Sequence, residues 1–393
     1  MGTRKRVGVG VVGVGTIGRF HLEAARRLGA DVVAVAASRA SRAKLLAEEL
    51  GVAATGDYRD LLANPAVDVV HVCTPNNLHF PMARDALRAG KHVVCEKPLA
   101  LTSHESGELL RLAEEADRVH AVCFNNRFYP LVQEARARVA AGALGRVFGL
   151  RGFILEDSLL AEDAFEWRLD PAQGGDSCAM ATIGCHLIDL VGFVLGTSVA
   201  AVCADFTTVH PVRRRPLGGA NGPTAGATRF EEVPIRSEEA ASVLVRFASG
   251  AHGVLGVSRA AAGRRYRISL ELDGTAAALA WDSEAPNRLW VGHDDRANEL
   301  LLRDPALLSE TARPYAGYLG AYQEGFADTF KALLAAVYRR INGPDRSAEP
   351  DFPTFVDGHA AMLVHDAVMA SARTGAWVEV ARAVQTGASA RSG

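Results

Sequence analysis

The chain lacks an excess of charge of either sign. Its 393 residues include 43 Lys and Arg against 45 Asp and Glu, for a formal net charge of −2. This balance gives no electrostatic reason to expect a nucleic acid or an anionic membrane surface as a partner. The chain also lacks any run of the ~20 apolar residues that a membrane span needs. We therefore predict no nucleic-acid partner and no membrane partner.

Cysteines are few and show neither a C-x-x-C pair nor the spacing of a zinc site. They are Cys73, Cys95, Cys123, Cys178, Cys185 and Cys203. This pattern favours free thiols in a reducing cytoplasm over disulfides or zinc. The basic start followed by an apolar run superficially resembles a secretory leader. That run is short and glycine-rich, however, and no convincing cleavage site follows it. We predict a cytoplasmic protein without a bound metal.

The first third of the chain alternates between apolar runs and amphipathic segments. The predicted strands are Val7–Val12, Asp31–Ala37, Val67–Cys73, His92–Cys95 and Val119–Phe124. The predicted helices between them are Thr16–Leu28, Ser41–Leu50, Pro81–Ala89 and Ser103–Ala116. Fully apolar strands that alternate with helices are typical of a parallel sheet covered on both faces. The pattern predicts an α/β fold that starts with a doubly wound, Rossmann-type domain over residues 1–125.

After Gly145 the pattern changes to short strands with hairpin-like spacing. They are Val147–Leu155, Val199–Val209, Ala241–Phe247, Gly253–Ser258, Tyr266–Asp273, Ala276–Trp281 and Arg288–Gly292. The helices predicted here are Ala179–Leu195, Tyr322–Ile341 and Thr354–Arg373, with a last strand at Trp377–Val380. We predict an α+β substrate and oligomerisation domain over 126–384, with a mostly antiparallel sheet and the option that the C-terminal helix packs back on the first domain. Composition predicts a flexible loop at 211–233 and a disordered tail at 385–393.

Two overlapping matches to G-x-G-x-x-G lie in the stretch VGVGVVGVGTIGRFH, residues 7–21. A dinucleotide-binding turn must follow the first strand and open the first helix. The match that begins at Gly8 would follow a charged strand and open a helix containing three glycines, which is a poor helix. The match that begins at Gly13 satisfies both requirements. The predicted phosphate turn therefore comprises Gly13, Gly15 and Gly18, with Thr16 and Ile17 opening the helix.

The end of the second predicted strand carries no acidic residue. An Asp or Glu there would hydrogen-bond a ribose 2′-hydroxyl and select NAD. The chain instead has Ser38 and Arg39, with Arg42 one turn later. A hydroxyl and guanidinium groups suit a 2′-phosphate through charge-assisted hydrogen bonds. We favour NADP over NAD, with solvated surface charge as the alternative role of the two arginines.

Further motifs follow the later strands and extend into the second domain. They are VCTPNNLH (72–79), GKHVVCEKPLA (90–100), FNNRF (124–128), GCHLIDL (184–190), YQEGF (322–326) and DFPTFVDG (351–358). Together they resemble the glucose–fructose oxidoreductase / inositol dehydrogenase / MocA family over nearly the whole chain. The resemblance implies an N-terminal Rossmann domain and a C-terminal α/β domain with a large open sheet. It also implies a nicotinamide cofactor and a sugar, cyclitol or related polyol as substrate.

The resemblance assigns roles to two residues. Lys97 matches the lysine of the family's Glu-Lys-Pro motif, which orients the substrate oxygen and the nicotinamide ribose. His186 matches the catalytic histidine, and an ordinary histidine pKa of ~6.5 suits proton exchange near neutral pH. A core histidine and a solvated lysine are the alternatives. The other predicted cofactor contacts are Thr74, Pro75, Asn76, His79, Glu96 and Asn125.

One position departs from the family. An Asp often stands four residues before the catalytic histidine, and here that position is Thr182. Threonine carries no charge to support a protonated imidazole, so Thr182 puts the proton relay and the substrate in doubt. Asp189 lies on the same predicted helix face. The remaining substrate-binding candidates are Arg127, Tyr129, Trp167 and Arg168, with a structural ion pair as the alternative for Arg127.

These features predict an NAD(P)-dependent oxidoreductase acting on CH–OH groups. Two other functions stay open. One is a redox-neutral enzyme that cleaves or epimerises glycosides with a tightly held cofactor, and the other is a non-catalytic cofactor-binding regulator. The large open sheet implied for the second domain would leave one face exposed. We therefore predict a homodimer or homotetramer that assembles through that sheet.

Overall fold

The computed structural model describes residues 6–217, 229–343 and 347–382. The described residues divide into two compact units. The first unit lies within 1–123, 330–363 and 381–393, and the second within 124–329 and 364–380. The predicted tail at 385–393 lies outside the described residues. Among the helices in the described ranges, none is both long and apolar enough to cross a membrane.

The first unit contains a six-stranded parallel sheet with the order β3-β2-β1-β4-β5-β6. Its strands are β1 Gly8–Val12, β2 Asp31–Ala36, β3 Ala53–Thr55, β4 Val69–Val72, β5 His92–Cys95 and β6 His120–Val122. The first five helices are α1 Thr16–Arg27, α2 Ala40–Leu50, α3 Tyr58–Ala63, α4 His79–Arg88 and α5 Ser103–Ala116. The strand order reverses between β1 and β4, and ligands of doubly wound folds bind at the carboxyl ends of strands beside such a switch point.

The valines of this sheet explain its parallel arrangement. Val9 and Val11 of β1 and Val69 of β4 are fully buried, which requires cover on both faces of the sheet. Parallel strands are covered in this way because each crossover connection places a helix on a face. The predicted Rossmann-type fold is therefore confirmed.

The second unit contains a nine-stranded sheet with the order β16-β15-β14-β13-β7-β12-β11-β8-β17. Its strands are β7 Val147–Leu155, β8 Val199–Thr207, β11 Ala240–Phe247, β12 His252–Ser258, β13 Arg267–Gly274, β14 Ala278–Asp282, β15 Arg288–Gly292, β16 Glu299–Leu302 and β17 Val378–Glu379. The remaining α-helices in the described ranges are α6 Pro130–Ala140, α7 Pro171–Gly174, α8 Cys185–Leu195, α9 Phe326–Asn342 and α10 Phe355–Thr374. β7 and β12 are parallel neighbours and the other neighbours are antiparallel, which confirms the predicted mostly antiparallel sheet.

Alternate residues of these strands are buried on one face. Along β11 the buried positions alternate with exposed ones, as expected for an antiparallel sheet with one covered face. α8 contributes to this cover, because Leu187 and Val191 lie within contact distance of a Cβ built on Gly152 of β7. The helix that carries His186 therefore packs against the covered side of the sheet.

The segment predicted as a flexible loop at 211–233 begins and ends as strands. β9 Val212–Pro216 and β10 Phe230–Pro234 form an antiparallel pair, so the prediction is wrong at both ends. Its middle, 218–228, lies outside the described residues. The arginine-rich composition indicated solvent exposure, yet Arg213 is fully buried. Its guanidinium donates to Glu239 and to three backbone carbonyls, which satisfies the buried charge.

Candidate active site

The glycine turn after β1 has the geometry of a dinucleotide-binding turn. The bounds of β1 and α1 agree with the match that begins at Gly13, which has a φ of +87° that disfavours other residues. A Cβ built on Gly18 would lie 2.1 Å from the carbonyl oxygen of Gly13. Close packing of α1 on the turn therefore requires glycine at position 18. Gly8 lies inside β1, where a Cβ would overlap the carbonyl oxygen of Ala66.

The same turn leaves room and hydrogen-bonding groups for a phosphate. A Cβ built on Gly15 would have no described atom within 4 Å. Within the described residues, no side chain caps the start of α1 and no acidic residue stands in its first turn, which begins with Thr16 and Ile17. The first N–H groups of a helix, with its positive dipole end, are suited to an anion. The buried Thr74 Oγ1 beside the turn also has no hydrogen-bond partner in the described ranges. These residues fit a bound dinucleotide.

The residues that would read the ribose lie at the surface. Ser38, Arg39 and Arg42 follow β2 and are all exposed. In the part of the chain that the structure describes, neither arginine has an ion-pair partner. Both guanidinium groups are therefore accessible to an anionic ligand.

The turn after β4 positions Pro75 and Asn76, which is buried. His79 at the start of α4 lies beneath this turn, with Nδ1 2.7 Å from the carbonyl oxygen of Pro98 and Nε2 3.0 Å from that of Thr74. Both ring nitrogens thus face backbone oxygens. The side chain holds the turns after β4 and β5 together, and its predicted contact with the cofactor stays a prediction.

Glu96, predicted as a cofactor contact, lies at the end of a buried chain of polar groups. Its Oε1 lies 3.0 Å from His21 Nε2, and its Oε2 accepts from the backbone N–H of Lys97. His21 Nδ1 lies 3.0 Å from His71 Nδ1, and His71 Nε2 lies 3.1 Å from the hydroxyl of Tyr338. All five groups belong to the first unit. The Glu96 carboxylate therefore has its partners within the protein.

Two members of this chain of groups stay neutral at neutral pH. Burial and the neighbouring His21 lower the pKa of His71 well below its ordinary value, which keeps it neutral. Burial raises the pKa of Tyr338 well above its ordinary value, so its hydroxyl keeps its proton. The His21 ring lies between His71 and the Glu96 carboxylate and connects them. Lys97 itself is half-buried directly after β5.

Three side chains at this end of the sheet are of types that bind metals. In the described ranges, ligand atoms of His21, Glu96 and Cys123 lie within 4.8 Å of one another. Burial and the neighbouring Glu96 raise the pKa of the Cys123 thiol well above its ordinary value. Glu96 is a hydrogen-bonding partner of both His21 and Cys123. The prediction that the protein binds no metal stays a prediction.

In the second unit, His186 lies in the first turn of α8, directly after a π-helical turn at Met180–Gly184. Thr182, His186 and Asp189 are all buried. The ring of His186 packs edge-on against Phe124, with the centroids 6.0 Å apart. The sequence predicted one continuous α-helix over 179–195, whereas the structure has a π-helical turn within its first part. Turns of this kind recur at functional sites.

Arg127 and Asp189 were both predicted as substrate contacts, and the structure pairs them with each other. Arg127 donates to both oxygens of Asp189, through Nε at 2.8 Å and through a second, shorter contact. The Asp189 side chain is only 3% exposed and that of Arg127 13% exposed. The guanidinium also lies 4.8 Å from the ring of Phe193 on α8. This geometry favours the structural ion pair, the alternative considered for Arg127.

The other predicted residues of this unit occupy different environments. Tyr129 is buried with its ring 4.9 Å from that of Trp281, and burial raises its pKa. Asn125 is buried and donates to Thr329 Oγ1 at 2.7 Å. Both side chains thus have contacts within the protein, and their predicted ligand contacts stay predictions. Trp167 and Arg168 are half-buried, with the Arg168 guanidinium over the Trp167 ring at 4.3 Å.

A residue that the sequence did not single out connects two parts of this unit. The buried Arg259 donates to Glu156 and Glu166, and to Cys178 Sγ at 3.2 Å. Burial opposes the charged form of Glu166, but Arg259 and Arg168 lower its pKa. Glu166 precedes Trp167, whereas Cys178 precedes the His186 helix. No local signal could have indicated this role, because the partners are about 80 to 100 residues away in the chain.

Comparison with known proteins shows which protein families the two units match. A family model described as "Oxidoreductase family, NAD-binding Rossmann fold" matches residues 7–124, and one described as "GFO/IDH/MocA C-terminal domain" matches residues 132–280. Levoglucosan dehydrogenase of Pseudarthrobacter phenanthrenivorans is 33% identical over 83% of this chain and 83% of its own length. Myo-inositol 2-dehydrogenase of Thermotoga maritima is 26% identical over 91% of this chain and 93% of its own.

Solved structures show the same similarity. A levoglucosan dehydrogenase in complex with NADH and L-sorbose superposes with a TM-score of 0.85 and 29% identity, over 96% of this chain and all of the other. An inositol dehydrogenase homolog from Azotobacter vinelandii in complex with NAD+ has a TM-score of 0.84 and 25% identity, over 95% of this chain and 97% of the other. The similarity therefore extends through both units.

Proposed function

The chain belongs to the GFO/IDH/MocA family of oxidoreductases, and on that premise we propose that it is an NAD(P)-dependent sugar or polyol dehydrogenase. The reaction is hydride transfer between nicotinamide and a secondary hydroxyl, or the corresponding ketone, of a sugar, cyclitol or related polyol. Relatives named as levoglucosan, inositol and glucoside dehydrogenases support this substrate class. The main structural support is Lys97, which follows β5 in the same unit as the glycine turn after β1.

We assign separate roles to two residues of the chain. A bound nicotinamide would supply the hydride acceptor or donor. The Lys97 ammonium orients the substrate oxygen and stabilises negative charge that develops on it. His186 accepts the hydroxyl proton during oxidation and returns it during reduction. Thr182 donates or accepts a hydrogen bond to a substrate hydroxyl, without adding a charge next to His186.

The purified protein tests this function with a panel of substrates named for its relatives. The panel comprises levoglucosan, L-sorbose, myo-inositol, D-xylose and 1,5-anhydro-D-fructose. Each is assayed with NAD and NADP for oxidation and with NADH and NADPH for reduction. We expect turnover, with a change in nicotinamide absorbance, for at least one sugar or cyclitol. Product formed without any net change in nicotinamide would support the redox-neutral alternative, and no turnover at all would contradict the proposal.

We further propose a preference for NADP, because two exposed guanidinium groups and a hydroxyl follow β2. The NADH and NAD+ complexes of structural neighbours make NAD the alternative. In the double variant Arg39→Ala/Arg42→Ala we expect a loss of affinity for NADP of about 10-fold to 100-fold, since each charge-assisted contact contributes roughly 1.5–3 kcal/mol before solvent screening. Affinity for NAD serves as the internal control and should change little. A wild-type protein that binds NAD more tightly than NADP would overturn the preference.

We propose that the open face of the nine-stranded sheet binds a second copy of the chain. Residues that pair across neighbouring strands form one transverse row on this face: Leu244, Val254, Arg151, Glu271, Ala280, Trp290 and Leu300. Leu244, Val254 and Leu300 are 48%, 38% and 55% exposed. An exposed apolar surface of this kind marks an interaction site.

Light scattering during gel filtration tests this assembly. We expect a dimer or tetramer for the wild type and a smaller species for Leu244→Glu/Val254→Lys. A wild type that elutes as a monomer at micromolar concentration would contradict the assembly.

All six cysteines lie in described ranges and are free thiols. On this ground we propose a reducing compartment, the cytoplasm.

A further inference from the structure

A buried carboxylate, that of Glu238, holds the start of the helical segment that carries His186. Glu238 is 2% exposed. Its Oε1 accepts from Ser177 Oγ at 2.7 Å and from the backbone N–H of Met180 at 2.8 Å. Its Oε2 accepts from the N–H of Cys178 at 3.3 Å, and its backbone carbonyl accepts from the N–H of Ala179 at 3.0 Å. One residue thus satisfies three consecutive N–H groups.

These contacts add to a local helix cap, in which Ser177 Oγ accepts from the N–H of Ala181 at 3.2 Å. The first N–H groups of a helix have no partner within the helix, and a local Ser, Thr, Asp or Asn usually satisfies them. Here Glu238 supplies the acceptors for the three N–H groups before Ala181, from the segment before β11, about 60 residues later in the chain. A carboxylate at this end also interacts favourably with the helix dipole. The start of the segment is therefore fixed by tertiary contact.

The π-helical turn Met180–Gly184 lies between this cap and His186. A Cβ built on Gly184 would lie 2.8 Å from Met180 Sδ, so the Met180 side chain fills the space beside the glycine. The hydrogen bonds of a π-turn span one residue more than those of the α-helix that follows it. Such a turn persists where contacts with surrounding residues hold it. On its far side, the packing of Leu187 on β7 and the Arg127–Asp189 pair hold α8. The orientation of the turn sets the orientation of the Thr182 and His186 side chains. It therefore depends on the contacts that hold the N-terminal end of the turn.

We propose that Glu238 is a positioning residue for catalysis, which fixes the wide turn that presents Thr182 and His186. This inference rests on the proposed dehydrogenase function. It predicts that loss of the Glu238 contacts lowers turnover and increases the mobility of the segment 178–186. The binding of nicotinamide should not weaken. Glu238 belongs to the second unit, whereas the glycine turn belongs to the first.

The test compares Glu238→Ala and Glu238→Gln with a matched control, Glu134→Gln. Glu134 is an equally buried carboxylate that accepts a backbone N–H from Ser309 at 2.9 Å, and not from the segment 178–186. Each variant is assayed for kcat and KM with the best substrate of the panel and for nicotinamide affinity. Hydrogen exchange of peptides within 178–186 is measured in parallel by mass spectrometry.

We expect kcat of Glu238→Ala to fall about 10-fold to 100-fold, because misplacement of a catalytic group by about 1 Å costs up to ~10²-fold. Glu238→Gln should lie between this variant and wild type, since its amide keeps one acceptor oxygen. Exchange should accelerate within 178–186 in both variants, and the Glu134→Gln protein should match wild type in kcat and in this exchange.

Unchanged kcat in a folded Glu238→Ala protein, or unchanged exchange in 178–186, would overturn the inference while the proposed function stands. If Glu238→Ala does not fold, Glu238→Gln decides by the same criteria. If the wild type turns over no sugar or cyclitol, the proposed function fails. The exchange data then decide whether Glu238 holds the segment.

Discussion

The glycine turn of the first unit and the His186 helix of the second are held in opposite ways. The glycine turn is built from residues that are neighbours in the chain, and its geometry comes from the backbone. The His186 helix is held by residues far away in the sequence: Glu238 at its start, Arg259 beside it and Arg127 on its later turns. One site uses the absence of side chains, and the other uses buried charged side chains.

This difference explains what each site can tolerate. A backbone turn that binds phosphate needs space and free N–H groups, which Gly15 and the uncapped start of α1 leave open. A catalytic imidazole needs a fixed orientation. A network of buried groups that are all hydrogen-bonded imposes that orientation. We expect substitutions at the first site to act on cofactor binding, and substitutions at the second to act on turnover or folding.

The largest effect should come from His186, the proposed proton carrier. Replacement of His186 by Ala should lower kcat about 10²-fold to 10⁴-fold, the usual contribution of a positioned acid–base group. Nicotinamide affinity, measured by fluorescence titration, should stay within about 2-fold, as expected for a group that acts on proton transfer rather than on cofactor binding. The control is His365→Asn, a change to a buried histidine of the same unit outside the proposed site. Wild-type turnover in His186→Ala would remove the proposed role.

The glycine turn can be divided into packing and binding positions by two matched variants. A Cβ at position 18 would overlap the Gly13 carbonyl, whereas a Cβ at position 15 would meet open space. We therefore expect Gly18→Ala to lower the thermal midpoint of the protein. Gly15→Ala should keep that midpoint and lower nicotinamide affinity about 10-fold or more, since the second glycine permits close approach of the pyrophosphate. Equal behaviour of the two variants in both measurements would contradict this division.

The Arg127–Asp189 pair distinguishes a structural role from a substrate contact. Removal of one partner leaves a buried charge unpaired, so Arg127→Leu should lower the free energy of unfolding by about 3 kcal/mol. The double variant Arg127→Leu/Asp189→Leu removes both charges and should recover much of this loss in urea unfolding. A single variant of unchanged stability with a raised KM would instead support the substrate contact predicted from the sequence.

The smallest predicted effect concerns the departure at Thr182. Thr182→Asp would place a carboxylate one turn from His186, and a nearby negative charge favours the protonated imidazole. The acidic limb of the pH profile of kcat/KM for oxidation, which requires neutral His186, should therefore move to higher pH by about one unit. Thr182→Asn is the uncharged control and should leave the limb in place. If the acidic limb does not move in the aspartate variant, residue 182 does not interact electrostatically with the group that titrates in this limb.

Residue patterns predicted the elements of the fold more completely than the partners of individual side chains. Strand and helix periodicity located β1 and α1 and so selected the match at Gly13. Motif resemblance could name Glu96 and His79, but it could not distinguish a contact to the cofactor from a contact within the protein. The partners of these residues, His21 for Glu96 and the Pro98 carbonyl for His79, lie 75 and 19 residues away. The composition of 211–233 misled for the same reason, because the carbonyls that satisfy Arg213 belong to a distant segment.

The amino-acid sequence by itself determined the α/β class, the phosphate turn, the family and the two residues proposed for chemistry, because these depend on local periodicity and short motifs. Only the tertiary structure decided which charged side chains are free to meet a ligand. Ser38, Arg39 and Arg42 remain exposed after β2, whereas Arg127 and Asp189 pair with each other. The physical reason is that a buried charge must have a partner, and the partner is chosen by the fold rather than by neighbours in the chain.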